Sequence, residues 1–297
     1  VTGVDATDFA LVAPGLTGTA ITGVSGSGRT YIVTVNTGDG LGTLGLNLVD
    51  DDSILNIANL PLAGSGAGNG DFTGQFYNID HLDHVGPTTS DLSVTPSPTN
   101  SAPTVSAQVS DTATGNNGVL ATEFFIDAIG ADGNGLHTIS AGTFVGLAEG
   151  THTVYFHGED GLGNWSTPVS TTFVKDTVAP TITGVTSSTA NGAYAADSII
   201  EIQVGFSEAV NVTGSPTLTL NSGGTATFTS GSGTDTLTFT YSVIAGQNST
   251  DLDYTSTTAL NLNGGTISDA AINNAALSLA IPGSAGSLGN ATALMID

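Results

Sequence analysis

Cations are almost missing from this chain. Its 297 residues include two basic side chains, Arg29 and Lys175, against 26 acidic ones, for a formal net charge of −24. A surface of this kind cannot neutralise phosphates, which excludes nucleic acid as a partner. It offers nothing to an anionic headgroup either, and no apolar run approaches the 18 or more residues of a spanning helix, so direct membrane insertion is not expected. Few carboxylates can find a salt-bridge partner. They must stay hydrated, accept backbone N–H groups or bind metal ions. Cysteine is absent, which removes a disulfide framework but does not assign a compartment. Val1 carries neither an initiator Met nor a signal-peptide pattern, as expected of a processed or excised chain.

What is present is turn chemistry and alternation. The chain holds 41 glycines and is 39% hydrophobic, a balance that suits short strands joined by tight turns. Length predicts two or three domains. One segment, Gly18 to Gly40, reads GTAITGVSGSGRTYIVTVNTGDG, and another, Gly224 to Gly246, reads GTATFTSGSGTDTLTFTYSVIAG. Each is a Thr-rich alternating strand, a Ser-Gly-Ser-Gly turn and a second alternating strand. Each copy is followed downstream by Ile-Asp, at Ile79-Asp80 and Ile296-Asp297. About 45 residues of module precede the second hairpin and fewer than 20 precede the first. The expectation is therefore that the chain starts inside one module and stops at the end of another.

Three modules follow from the punctuation. Residues 1–80 form the first, with Tyr31, Val33 and Val35 on one face of a strand and Leu44, Leu46 and Leu48 on another. Residues 81–101, rich in Pro, Thr and Ser, are expected to be an extended linker. Residues 102–176 form the second module, with strands predicted at Thr104–Ser110, Thr122–Ala128, Thr151–Gly158 and Val169–Val174. Residues 177–297 form the third, where Ile200, Ile202, Val204 and Phe206 share one face and Leu237, Phe239, Tyr241 and Val243 another. The helix candidate is a short turn near Asp269–Ala276. Strand signals at this spacing predict an all-β chain of three tandem β-sandwiches.

The third module carries an ordered series: Phe206-Ser207-Glu208-Ala209-Val210, then Ser230-Gly231-Ser232-Gly233, then Asp251-Leu252-Asp253-Tyr254, then Gly264-Gly265-Thr266-Ile267-Ser268-Asp269. Over most of Thr177–Asp297 this resembles the bacterial Ig-like repeat of very large surface proteins, including cyanobacterial swimming-motility-associated and adhesin-type proteins. Residues 1–80 resemble a related Ig-like repeat without its opening strand, since the Phe-Ser-Glu element that usually precedes Val1-Thr2-Gly3-Val4 is absent. The middle module, with Gly150-Thr151-His152-Thr153-Val154-Tyr155 and Asp160 to Trp165, resembles fibronectin-III/Ig-like modules of exported bacterial proteins. These resemblances imply an extracellular array at the bacterial cell surface and no catalysis.

Calcium is the sharpest chemical expectation, because Ca²⁺ is held by six to eight oxygens and acids are plentiful. Candidates near the second junction are Asp160, Asn164, Asp176, Glu208 and Asp269. In the first module the densest cluster is Asp50, Asp51 and Asp52, although neighbours on a strand face opposite ways and need a turn to converge. The competing reading is that these residues close Asx turns. His81 and His84 fall short of the four ligands of a structural zinc. Lys175, beside Asp176 at a module end, reads as exposed rather than as half of a Lys–Asn isopeptide bond. No nucleophile elbow or paired-acid pattern appears.

The expectation for function is a structural segment of a large extracellular surface protein, part of a filament, surface layer or adhesin stalk. The alternative is an adhesive or carbohydrate-binding module, or an accessory region of an exported hydrolase. The expected partners are the neighbouring modules. A homopolymer by strand complementation of the first module is a further expectation, because a sandwich short of a strand exposes an unpaired edge.

Overall fold

The computed structural model describes residues 1–297. In residues 1–85 the strands are β1 (Phe9–Val12), β2 (Leu16–Thr17), β3 (Ala20–Ser27), β4 (Thr30–Asn36), β5 (Asp39–Leu48) and β6 (Phe76–Asp80). Next come β7 (Thr88–Thr95), β8 (Thr104–Ser110), β9 (Val119–Ile126), the short helix α1 (Ala141–Gly146), β10 (Gly150–Asp160) and β11 (Val169–Lys175). The remainder holds β12 (Ile182–Ser187), β13 (Gly192–Tyr194), β14 (Ile199–Thr213), β15 (Thr217–Thr219), β16 (Thr225–Ser230), β17 (Thr234–Ser242), β18 (Leu260–Asn261), β19 (Thr266–Ser268), helix α2 (Leu288–Ala291) and β20 (Leu294–Ile296). The chain is all-β. It forms two compact units, Val1–Val85 and Gly86–Asp297.

The best-formed core lies in residues 177–297. Alternation puts Ile200, Ile202 and Val204 of β14 on one face, and they pair across the ladder with Tyr241, Phe239 and Leu237 of β17. All six are at most 1% exposed. Complete burial of each side chain contributes about 1.5–3 kcal/mol, so this ladder anchors the module. The sheet runs β12-β14-β17-β16-β15-β18, and the far end of β14 pairs instead with β19. One long strand thus feeds two sheets. The segment before it adds β13, which pairs in parallel with β20.

The middle sandwich sets the β9–β10–β11 sheet against the β7–β8 pair, around Val94, Phe124, Ile139, Phe144, Val154, Phe156 and Phe173. This corrects the expected linker over residues 81–101. Thr88–Thr95 is a strand paired with β8, and Val94 belongs to the core. Thr99 is buried, donating its N–H to Val174 and accepting that of Asp176. Pro87, Pro96 and Pro98 flank the strand without interrupting its ladder, a placement prolines tolerate. The expected helix near Asp269–Ala276 is also corrected: that segment is a turn, and the helices lie at α1 and α2.

The two hairpins of the sequence fold alike, although with their flanking glycines aligned the bulges fall one residue apart on the first strand and the threonine acceptors two apart on the second. The copies are β3–β4 and β16–β17, and each first strand carries a bulge, between Ile21 and Gly23 in one and between Phe228 and Ser230 in the other. In both, the bulged threonine donates its hydroxyl across the hairpin: Thr22 Oγ1 to the Thr34 carbonyl at 3.1 Å, and Thr229 Oγ1 to the Thr238 carbonyl at 3.2 Å. A second correspondence joins Val1-Thr2-Gly3 to Val212-Thr213-Gly214. Both glycines have positive φ, 87° and 74°. Both press on a facing segment of backbone: a Cβ on Gly3 would lie 2.1 Å from the Ser53 carbonyl oxygen, and one on Gly214 3.0 Å from Gly265 Cα.

The surroundings of the two hairpins differ. In residues 1–85, β5 carries β1, β2 and β6, while β3 and β4 pair only with each other. Leu16, Leu44 and Ile54 are the buried hydrophobics of this unit. Ile32, Leu41, Phe72 and Tyr77 stand exposed.

Candidate cation site at the junction of the second and third modules

Three of the acids singled out in the sequence converge. Asp176, Glu208 and Asp269 bring one carboxylate oxygen each to within 4.8 Å of one another. Asp176 follows the last residue of β11. Its N–H is held by the Thr99 carbonyl, and its carboxylate accepts the Val178 N–H at 3.1 Å. Glu208 projects from the stretch of β14 where pairing with β17 lapses, between Gly205 and Val210. Asp269 follows β19 and is buried.

Asp269 belongs to a recurring loop. Its carboxylate accepts the N–H and the side-chain amide of Asn273, both at 2.8 Å, and its own N–H donates to the Asn273 carbonyl at 3.1 Å. Asp160 and Asn164 make the same set of bonds, at 2.8 Å for the carboxylate and 3.1 Å for the backbone. In each loop the residue before the Asn takes positive φ, Gly163 at 89° and Ile272 at 69°. The second is an unusual conformation for a β-branched side chain. Asn273 also reaches across the junction, donating its side-chain amide to the Asp176 carbonyl at 2.9 Å.

One more pair of bonds crosses the junction, and two others fix the start of the third module beside it. Glu149 accepts the N–H of Thr177 at 2.8 Å and its hydroxyl at 2.6 Å. Ala276 donates its N–H to the Pro180 carbonyl at 2.8 Å, and the Thr181 N–H donates to Ser207 Oγ at 3.0 Å. The acids are therefore fixed in position, and their mutual repulsion is built in. Burial, and after it the charges of Asp176 and Asp269, push the Glu208 carboxyl above its ordinary range. A set of hard oxygens with surplus negative charge suits a divalent cation such as Ca²⁺.

Lys175 does not relieve this charge, and its placement corrects the expectation of an exposed lysine. It is buried, because its ammonium donates to the Leu147 carbonyl at 2.6 Å at the end of α1. It also lies 3.6 Å from Glu149 Oε1 and 5.2 Å from the centre of the Phe144 ring. Cations favour that end of a helix.

The remaining candidates go elsewhere. Asp160 and Asn164 close their own turn and do not join the junction set. Asp50, Asp51 and Asp52 diverge. Asp50 is buried and accepts the N–H groups of Asp52 and Gly70, Asp51 accepts that of Ser53, and Asp52 that of Gly66. Asp50 and Asp51 close Asx turns, while Asp50 and Asp52 tether the glycine-rich loop from a distance. His81 bonds Thr37 and His84 bonds Asp80, both at 2.9 Å, so the two rings serve different partners.

A second constellation escaped sequence reasoning. His157 and Glu123 are both buried, with His157 Nε2 2.9 Å from Glu123 Oε1 and the Trp165 ring centred 4.5 Å from the imidazole. Burial would raise the Glu123 carboxyl. The N–H of Gly135, the His157 ring and the N–H of Gly133 outweigh it and hold the carboxyl low. These bonds fasten the 133–135 loop to β9. Only the strand alternation that sets His157 opposite Val154 and Phe156 hinted at it.

No protein-family model matches the chain, and no curated protein matches it. Among solved structures, the D00-D0 domain of Intimin is similar over 64% of this chain and 96% of its own length, at 15% identity and a TM-score of 0.22.

Proposed function

We propose that this chain is a structural segment of a large extracellular bacterial surface protein, part of a filament, surface layer or adhesin stalk. The supporting observation is the repeated hairpin, with a bulge and a cross-strand threonine hydrogen bond in each copy, in two non-consecutive modules. Repetition of a module suits a mechanical role, in which length and stiffness matter more than one reactive centre. The acidic surface keeps such a segment soluble and resists non-specific association. Immunogold labelling of intact source cells, with antibody raised against the whole chain, tests the reading. Gold on the envelope or on extracellular filaments is expected, and label confined to the cytoplasm would overturn it.

In this reading Ca²⁺ stiffens the second junction, held by Asp176 from one module and by Glu208 and Asp269 from the next. A cation that binds the native state raises its stability, by about 2.7 kcal/mol at a hundredfold excess over Kd. Added Ca²⁺ should raise Tm and EDTA should reverse the gain, while Glu208→Gln should abolish the response. A melt of the native protein indifferent to both reagents removes calcium from the account and leaves the surface assignment to the labelling experiment.

A further inference from the structure

We infer that the free edge of β4 is a docking site for an extended antiparallel strand whose residues alternate apolar and polar, in the pattern of Ile199–Thr213. The inference does not depend on where the protein acts.

The template is in the same molecule. In the third module, β17 has β16 on one side and β14 on the other. The β14 side is paired from Ile199↔Ser242 to Gly205↔Thr236. Aligned on their flanking glycines, Tyr31, Val33 and Val35 of β4 fall at Leu237, Phe239 and Tyr241 of β17. The β17 residues are no more than 1% exposed. The β4 residues are only half-buried, and β4 has β3 on one side and no strand on the other. Its inward side chains are already apolar, so the edge is patterned for a cover that residues 1–85 do not provide.

A second strand makes the same point. The Ile-Asp ends place β6 at the position of β20, Tyr77 matching Leu294 and Ile79 matching Ile296. Leu294 and Ile296 are buried, and β20 pairs with β13. Tyr77 is 61% exposed. β6 pairs with β5 on one side, and its Tyr77 lacks the cover that Leu294 has beside β13. An unpaired edge above a row of half-buried apolar side chains offers backbone hydrogen bonds for affinity and alternate pockets for specificity. The occupant must bring aliphatic residues at every second position, as Ile200, Ile202 and Val204 do on β17.

The test uses the full chain and a synthetic peptide of residues 199–213, followed by hydrogen exchange. Saturating peptide should slow exchange of the amides of 30–36 about tenfold or more. A peptide carrying Ile202→Asp should not, and this control leaves the protein's own fold untouched. The chain variant Val33→Asp should likewise lose the response while Trp165 fluorescence reports an intact second unit. The inference is overturned if residues 30–36 show no slowing, or if the Ile202→Asp peptide slows them equally. It is also overturned if protection appears only in residues 234–242, or if 30–36 become protected in concentrated chain without peptide, which would put a second copy on the edge.

Discussion

With the flanking glycines aligned, Val33 and Phe239 fall at the same position of two similar hairpins, and they live in different environments. Phe239 is fully buried between β14 and β16, while Val33 is half-buried on a strand with one neighbour. Both hairpins alternate, and each carries one bulge and one threonine bond across it, though not in the same register. Local sequence therefore specifies the hairpin, and burial is conferred by the strand beside it. β14 is what separates a module with a core of aromatic and aliphatic residues from one with three buried hydrophobics.

The strongest way to break the comparison is truncation at the matched position. Phe239→Ala should cost about 3–5 kcal/mol, the usual range for emptying a core aromatic site. Val33→Ala should cost about 1 kcal/mol or less, since it removes little area from water. Trp165, the single tryptophan, reports urea unfolding of residues 86–297. Its transition should move with Phe239→Ala and stay put with Val33→Ala. Equal shifts would mean that the two hairpins share one core.

Smaller effects sharpen the likeness. Thr22→Val removes one exposed hydroxyl bond at the bulge and Thr229→Val removes two, to the Thr238 carbonyl and to Thr240 Oγ1, and each bond should be worth about 0.5–1.5 kcal/mol in thermal melts. Losses in proportion to the bonds removed would show that the bulge belongs to the hairpin. A large loss in one copy alone would tie it to its surroundings.

The smallest effect is a pH slope. Glu208 lies on β14, the strand without a counterpart in residues 1–85. Its carboxyl is raised above the ordinary range, so its charge destabilises the fold above that pKa. The penalty is relieved as pH falls through the raised value towards about 4.3. His152 tilts stability the same way. Burial opposes its charge, but the Ala148 carbonyl and Asp127 outweigh it and raise its pKa. The difference between wild type and Glu208→Gln in metal-free buffer isolates the Glu208 part. Stability of the Trp165 transition should fall less steeply from pH 5 to 7 in the variant, and identical slopes would show that the three acids do not repel.

Much of this was legible in the sequence because period-two alternation is a local signal. Ile200, Ile202, Val204 and Phe206 alternate and are buried together. Residues 88–95 were obscured because prolines at both ends read as a linker, although they only delimit the strand. The junction acids were partly legible. Asp176, Glu208 and Asp269 each sit where a strand ends or its pairing lapses, while Asp160, at a strand end too, does not join them. What decides between these outcomes is a non-local contact, such as Asn273 reaching Asp176. Lys175 was misread for the same reason: the carbonyls it caps lie about 30 residues earlier, at Val145 and Leu147. Glu123 and His157 are 34 residues apart and meet only once β9 and β10 pair.

The central claim is that one hairpin sequence is a sealed core strand in residues 177–297 and an open edge in residues 1–85. Native-state hydrogen exchange of the isolated chain tests it most directly. Amides of 234–242 should exchange only through global unfolding of their unit, and those of 30–36 should exchange faster by orders of magnitude. Matching protection of the two strands would contradict the account.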